Sequence, residues 1–288
     1  MAAVRSGEAD IVPASLDAQS QIEAGGGRLI FGQEGVYVLA KPLGCFDPQY
    51  PCSDKRVRQA LDYALNKELL RDTLYGDEVF VVKGWSVITP NTYGYTTAID
   101  PRPFDPDKAR ALLAEAGYPN GEGLGPLIIN TWTSTGMPYQ VEAAQLVGDT
   151  WKRELNVDVE VRVSDSTGTK KRMAAGELDG QILWRENEAR KNATINTSSG
   201  YGDPEREINK THEDPEIFSQ VQAAMNVLDL DDRQKAWEDV YMRLHDESYE
   251  LGVGYVNIPW GVGPRVTTWE PYPFSLWISA VHTITLEE

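Results

Sequence analysis

The chain is expected to fold as an α/β protein, a mixed sheet flanked by helices, and two observations lead there. Period-two and helical apolar patterns alternate along residues 127–184, the order that strand–helix–strand crossovers require. Between short runs rich in β-branched and aromatic side chains stand helices with their own start and stop residues. At 288 residues the chain can form one large domain or two ordinary ones, with ample core.

Taken in order, Ser15 to Ala24 reads as a helix broken by Gly25, Gly26 and Gly27. Arg28 to Phe31 and Gly35 to Ala40 read as two short strands. Ser53 or Asp54 can cap a helix, because a short side-chain oxygen accepts from the free N–H groups of the first turn. Val57, Ala60, Leu61, Ala64 and Leu65 then fall on one buried face. Asn66 caps a second short helix, Lys67 to Leu74, which Gly76 ends. Val79 to Ile88 is strand-like, and Thr89 to Asp105 is a turn-rich loop. The clearest local helix follows: Asp105 caps it, Pro106 takes the tolerant first position and Gly117 stops it.

Leu127 to Trp132 reads as a strand. Pro138 to Leu155 is a helix with Val141, Ala144, Val147, Trp151 and Leu155 on one face. Val157, Val159, Val161 and Val163 alternate with polar residues, which predicts an edge or one-sided strand. Thr169 to Ala175 is helical and Gln181 to Trp184 is another strand. Arg185 to Lys210 reads as a long polar loop. Asp214-Pro215 opens a helix through Val227, and Asp231 opens another through about His245. Gly252 to Trp260 and Ser279 to Leu286 read as the last strands.

Composition narrows the function classes. The balance of 27 basic and 44 acidic side chains gives a net charge of −17, which repels phosphate backbones and anionic lipid. No nucleic-acid partner is therefore expected. No apolar run is long enough to span a bilayer. Cys45 and Cys52, the two cysteines, flank a loop containing proline and aromatic residues. They suggest a small disulfide loop formed outside a reducing compartment, with two free thiols as the alternative. A zinc site is disfavoured because His212, His245 and His282 are scattered, and neither a metal nor a cofactor is expected. No nucleophile elbow or phosphate loop is present. His245, on an amphipathic helix, reads as a packed or surface residue rather than a catalyst. The protein is read as a non-enzyme, although a glycosidase-like carboxylate pair remains compatible with so many acidic residues.

Two stretches carry a family resemblance. Ser53 to Leu70, SDKRVRQALDYALNKELL, resembles a signature of the extracytoplasmic solute-binding proteins, family 5, of peptide, nickel and related ABC importers. Phe104 to Tyr118, FDPDKARALLAEAGY, resembles a second hallmark of that family almost letter for letter. Gly7-Glu8-Ala9-Asp10 is similar to a third element, which in the family falls near mid-chain. The resemblance implies a periplasmic binding protein-like fold (class II, cluster C type). It implies that residues 1–38 are a remnant of domain I, 39–260 are domain III with the ligand cavity, and 261–288 return to domain I. The N-terminus has no hydrophobic signal core, and the expectation is that the signal lies in a missing N-terminal half. A periplasmic or extracytoplasmic location follows from the resemblance.

The same resemblance implies the site. Trp184 is similar to the family's Trp at the end of a domain III strand lining the cavity, with Arg185 and Glu186 beside it. Where peptide binders have an Asp three residues after that Trp, this chain has Asn187, which cannot supply the full charge that anchors an ammonium. Either the ligand is not a peptide or the anchor shifts to Glu186. A displaced "D-P" step is assigned to Asp203-Pro204. Trp132, another Trp where a strand ends, suits a ligand cradle because flat side chains cover apolar area at little entropic cost. Tyr255, Asn257 and Trp260 are assigned to the last cavity strand. The expected function is solute reception for an ABC importer, with a peptide, oligosaccharide or metal chelate as ligand and the permease subunits as partners. A carbohydrate-active enzyme and a non-transporting sensor or interaction domain are the alternatives. Exposed apolar surface, and with it self-association, is expected where the rest of the family's chain would pack.

Overall fold

The computed structural model describes residues 2–133, 139–192, 194–201 and 214–287. Seven strands form one mixed sheet: β1 (Ile11–Pro13), β2 (Arg28–Pro42), β3 (Phe80–Val81), β4 (Leu127–Thr131), β5 (Val159–Val163), β6 (Ile182–Glu188) and β7 (Leu251–Val262). Their order is β1-β7-β2-β6-β4-β5, with β3 also paired to β7. β4 is parallel to both β5 and β6, and the other pairings are antiparallel. The parallel corner is where α6 (Gln140–Leu155) and α7 (Ser166–Ala174) carry the chain between strands, as the alternating periods require. β5 lies at the sheet edge, and its Glu160 and Val163 face solvent. A separate ribbon pairs β8 (Val266–Thr268) with β9 (Thr285–Leu286).

Arg28 to Ala40 is one strand, not two. The break expected between Phe31 and Gly35 is a bulge: Gly32 pairs with Ile258 and Val36 with Val256, so three residues stand opposite Asn257 alone. Glu34 takes the left-handed conformation there (φ 53°), and its N–H donates to Asn257 Oδ1 at 3.0 Å. Its buried carboxylate accepts from Thr89 Oγ1 and from the backbone and side-chain amides of Asn91. β2 passes residue 39 and β7 passes residue 260 without a break.

Three other spans differ from expectation. Of Val79 to Ile88 only β3 is strand, because Gly84 turns the chain (φ 74°) and Trp85 pairs locally with Ile88. Residues 185–210 are not all loop. β6 continues to Glu188, and α8 spans Thr194–Tyr201, while Asp203-Pro204 lies outside the described residues, as does Pro138. Near the C-terminus, Ala280 turns left-handed and a 3-10 turn covers Val281–Thr283, leaving only β9 as strand.

Two helical layers cover the sheet. α3 (Lys55–Tyr63), α5 (Pro106–Glu115) and α6 pack on one face in a core that includes Val57, Leu61, Leu113, Val147 and Trp151. Asp54 and Asp105 cap α3 and α5 as their sequences predict, each accepting from a first-turn N–H. α9 (Pro215–Met225) and α10 (Leu230–Asp246) form a second core with Trp85, Tyr201 and Trp237. Asp229, not Asp231, caps α10. The C-terminal segment exposes Tyr272, Trp277, Ile278, Val281 and Leu286, with Trp277 76% exposed.

Cys45 and Cys52 form a disulfide, and the Arg58 guanidinium donates to the Cys52 carbonyl at 2.8 Å. Below it, Asp62 is fully buried between two cations. Lys67 Nζ lies 3.1 Å from Oδ1, and Arg102 Nε lies 3.3 Å from Oδ2. Lys67 also donates to the Asp62 and Arg102 carbonyls, tying α4 (Lys67–Leu70) to the loop before α5. Asp62→Ala strands a buried ammonium and should cost about 3–5 kcal/mol. Lys67→Met should cost less, because Asp62 keeps Arg102. Urea denaturation of the two variants checks the order, and equal losses would contradict it.

Candidate functional site

Alternation along β2 and β6 sends neighbouring side chains to opposite faces of the sheet. On β6, Ile182 and Trp184 enter the α3–α6 core, whereas Leu183, Arg185 and Asn187 point to the other face. On β2, Val36, Val38 and Ala40 join that same core, and Tyr37 and Lys41 point away from it. Those outward residues floor a cavity of ≈ 210 Å³. α7, α8 and α10 wall it with Met173, Thr197 and Leu244, and Trp85 and Trp132 close its sides. Trp85 lies flat on the strand because Gly252 has no side chain, and a Cβ there would come within 2.6 Å of the ring.

The expected site residues therefore separate. Trp132, Arg185 and Asn187 meet at the cavity. Trp184 is fully buried in the opposite core, its Nε1 without a hydrogen-bond partner. Glu186 shares that side and does not reach the cavity. Tyr255 pairs across the strands with Tyr37 but does not line the cavity. Its hydroxyl is pushed up to about 12 by burial and by the Glu34 and Asp100 carboxylates. Asn257 plugs the β2 bulge, donating to the Glu78 carbonyl as well as accepting from Glu34. Trp260 packs edge-on against Trp269 at 5.6 Å, near the β1 end of the sheet.

Two buried carboxyls near the sheet are held in opposite states. Glu250 lines the cavity with Lys41 Nζ at 2.9 Å, and the Ser86 and Tyr201 hydroxyls donate to it. Burial pushes its carboxyl up, but Lys41 and these hydroxyls outweigh burial and hold it below the ordinary range. Lys41 also lies over the Tyr201 ring at 5.1 Å. On the far face no cation among the described residues pairs with Glu186. Burial raises its pKa to about 8, against the hydrogen bond from Tyr75 at 2.6 Å, and the Glu142 charge adds to the rise. Sequence reading missed Tyr37, Lys41, Trp85, Tyr201 and Glu250. A lysine and a glutamate set inside or against apolar strand runs, VLAKPLG and YELGVGYV, were the available signal.

His245 sits on α10 with its ring edge-on to Trp85 at 6.2 Å, and burial followed by the Arg102 charge lowers its pKa to about 4. It is neutral at neutral pH and does not line the cavity. Among the described residues no group of three or more His, Cys, Asp and Glu side chains could hold a metal ion. No helix among them is long and apolar enough to cross a membrane.

Residues 1–200 match the model of the family described as bacterial extracellular solute-binding proteins, family 5, middle part. The chain belongs to this family. It is 24% identical over 225 residues to heme-binding protein A of Haemophilus influenzae, covering 78% of this chain and 40% of that protein. Over 73 residues it is 44% identical to the glutathione-binding protein GsiB of Pectobacterium atrosepticum, covering 25% of this chain and 14% of GsiB. The fold superposes on the ABC transporter substrate-binding protein CtaP of Listeria monocytogenes with a TM-score of 0.83 at 18% identity, over 100% of this chain and 58% of CtaP. The family 5 chain thus spans 40% to 58% of the length of the longer matches, and its likeness to CtaP is one of fold. The fold is the periplasmic binding protein-like α/β architecture that the two motifs imply.

Glu186 provides a pH test of the two-faced arrangement. Its ordinary pKa of 4.5 applies to the unfolded chain and about 8 to the folded one, so between them the folded protein keeps a proton that the unfolded chain has lost. Stability from this group therefore falls as pH rises through that window. Denaturant titrations at several pH values should show wild type losing stability against Glu186→Gln by at most about 1.4 kcal/mol per pH unit. Parallel curves would show that Glu186 is not buried as described.

Proposed function

We propose that the protein is the substrate-binding component of an ABC importer, forming the cavity-bearing lobe of a two-lobed solute receptor. Membership of family 5 over residues 1–200 carries this reading. The cavity on the outward face of β2 and β6 supports it, being concave, lined with aromatic side chains and furnished with a few polar groups. In this reading residues 1–38 and 261–288 belong to domain I and residues 39–260 to domain III, a division by packing role, since β2 and β7 run through both boundaries. The ligand-binding set is Trp132, Arg185 and Asn187, joined by Tyr37, Trp85 and the Lys41–Glu250 pair.

The function is reception without chemistry. Two lobes close on a solute, which stabilises the closed state by its differential affinity, and that state docks on membrane permease subunits. The location is outside the cytoplasm, where the Cys45–Cys52 disulfide is stable. Peptides, oligosaccharides and metal chelates are the candidate solute classes. The exposed Tyr272, Trp277 and Val281 support packing of the C-terminal segment against further protein, or self-association of the isolated chain.

A thermal-shift screen of the family-length protein against di- and oligopeptides, oligosaccharides and nickel chelates tests the reading. A ligand at 100 times its Kd stabilises by about 2.7 kcal/mol, a shift of several degrees. One class should produce that shift, and produce a smaller one with this chain alone. No shift with any class would overturn the transport reading and favour a sensor or interaction domain of the same family.

A further inference from the structure

The cavity wall runs against the charge of the chain. The whole sequence carries −17, yet among the described residues Lys41, Lys170 and Arg185 line the cavity against one carboxylate, Glu250. That carboxylate is already neutralised by Lys41 at 2.9 Å, with the Ser86 and Tyr201 hydroxyls on it. Arg185 and Lys170 remain, and no carboxylate among the described residues forms an ion pair with either. Arg185 lies against the Tyr37 hydroxyl, and its Nε is buried without a hydrogen-bond partner. A buried guanidinium N–H without an acceptor is costly, and a planar fork of such donors matches a carboxylate. Trp85, Trp132, Met173 and Leu183 supply apolar lining to the same cavity.

An ammonium end of a ligand would meet the reverse. The acceptor of the Asn187 side chain, Oδ1, already takes the Glu188 N–H at 3.0 Å, and Glu186 lies on the far face. Among the described lining residues no carboxylate is left to receive a cation.

We propose that the cavity takes a small organic anion, a carboxylate on an apolar or aromatic body, with the carboxylate accepting from Arg185 and the body lying between Trp85 and Trp132. Lys170, exposed on α7, adds attraction at the rim. The proposal rests on the solute-receptor reading and names its substrate class.

Isothermal titration of this chain with phenylacetate, phenylacetamide and phenethylamine at neutral pH separates the two claims. Phenylacetate should bind at least about tenfold tighter than the amide, as one charge-assisted contact is worth. Phenethylamine should not bind. Arg185→Met should bring phenylacetate down to the affinity of the amide with an unchanged thermal midpoint, and Arg185→Lys should restore part of the difference. Equal binding of acid and amide, tighter binding of the amine, or an acid preference that survives Arg185→Met overturns the anion assignment while leaving a solute-binding cavity in place. Failure of all three to bind at millimolar concentration overturns the anion assignment as well, while the receptor reading stands or falls separately on the thermal-shift screen.

Discussion

The structure depends on β2 being paired along both edges, with β7 on one side and β6 on the other. A strand held in that way has one register, and a slip by one residue would exchange every side chain between the two faces. Val36, Val38 and Ala40 are thereby committed to the core under α3 and α6, and Tyr37 and Lys41 to the cavity. β6 repeats the division with Trp184 and Glu186 on one side and Arg185 and Asn187 on the other. The bulge at Gly32–Gly35 absorbs the mismatch with β7, and Asn257 and Glu34 satisfy the backbone and loop groups that the bulge frees.

The same constraint gives two buried glutamates different chemistry. Glu250, opposite Lys41, is kept ionised and tied to the helices that wall the cavity. Glu186, opposite the Tyr75 hydroxyl, keeps its proton to about pH 8. Burial acts in the same direction on both, and the presence of a cation within hydrogen-bond distance decides the outcome. Arg185 is the complementary case, a cation at the cavity with no carboxylate paired to it among the described residues.

Local signals in the sequence were strong and survived folding. The caps at Asp54, Asn66 and Asp105, the alternation of Val159–Val163 and the two family motifs led to the architecture. What was not legible depends on long-range contacts. Arg28–Phe31 and Gly35–Ala40 read as two strands because a bulge interrupts the apolar run as a strand end does, and only pairing with β7 tells them apart. Trp184 and Asn187 were placed together by motif, yet their spacing of three residues puts them on opposite faces of a continuing strand. Lys41 and Glu250 meet across most of the chain, so no local pattern links them. Asn257 and Trp260 are polar or aromatic for packing reasons that only their partners reveal.

Solute reception is proposed on the face of the sheet that carries Arg185, not on the face that carries Trp184. Hydrogen exchange of the family-length protein, with and without the solute class that raises its thermal midpoint, tests it directly. Bound solute should slow exchange at residues 183–187, 197–201 and 241–244 and leave α3 and α6 unchanged. Protection centred on residues 57–65 and 143–155, with the cavity walls unaffected, would contradict the account.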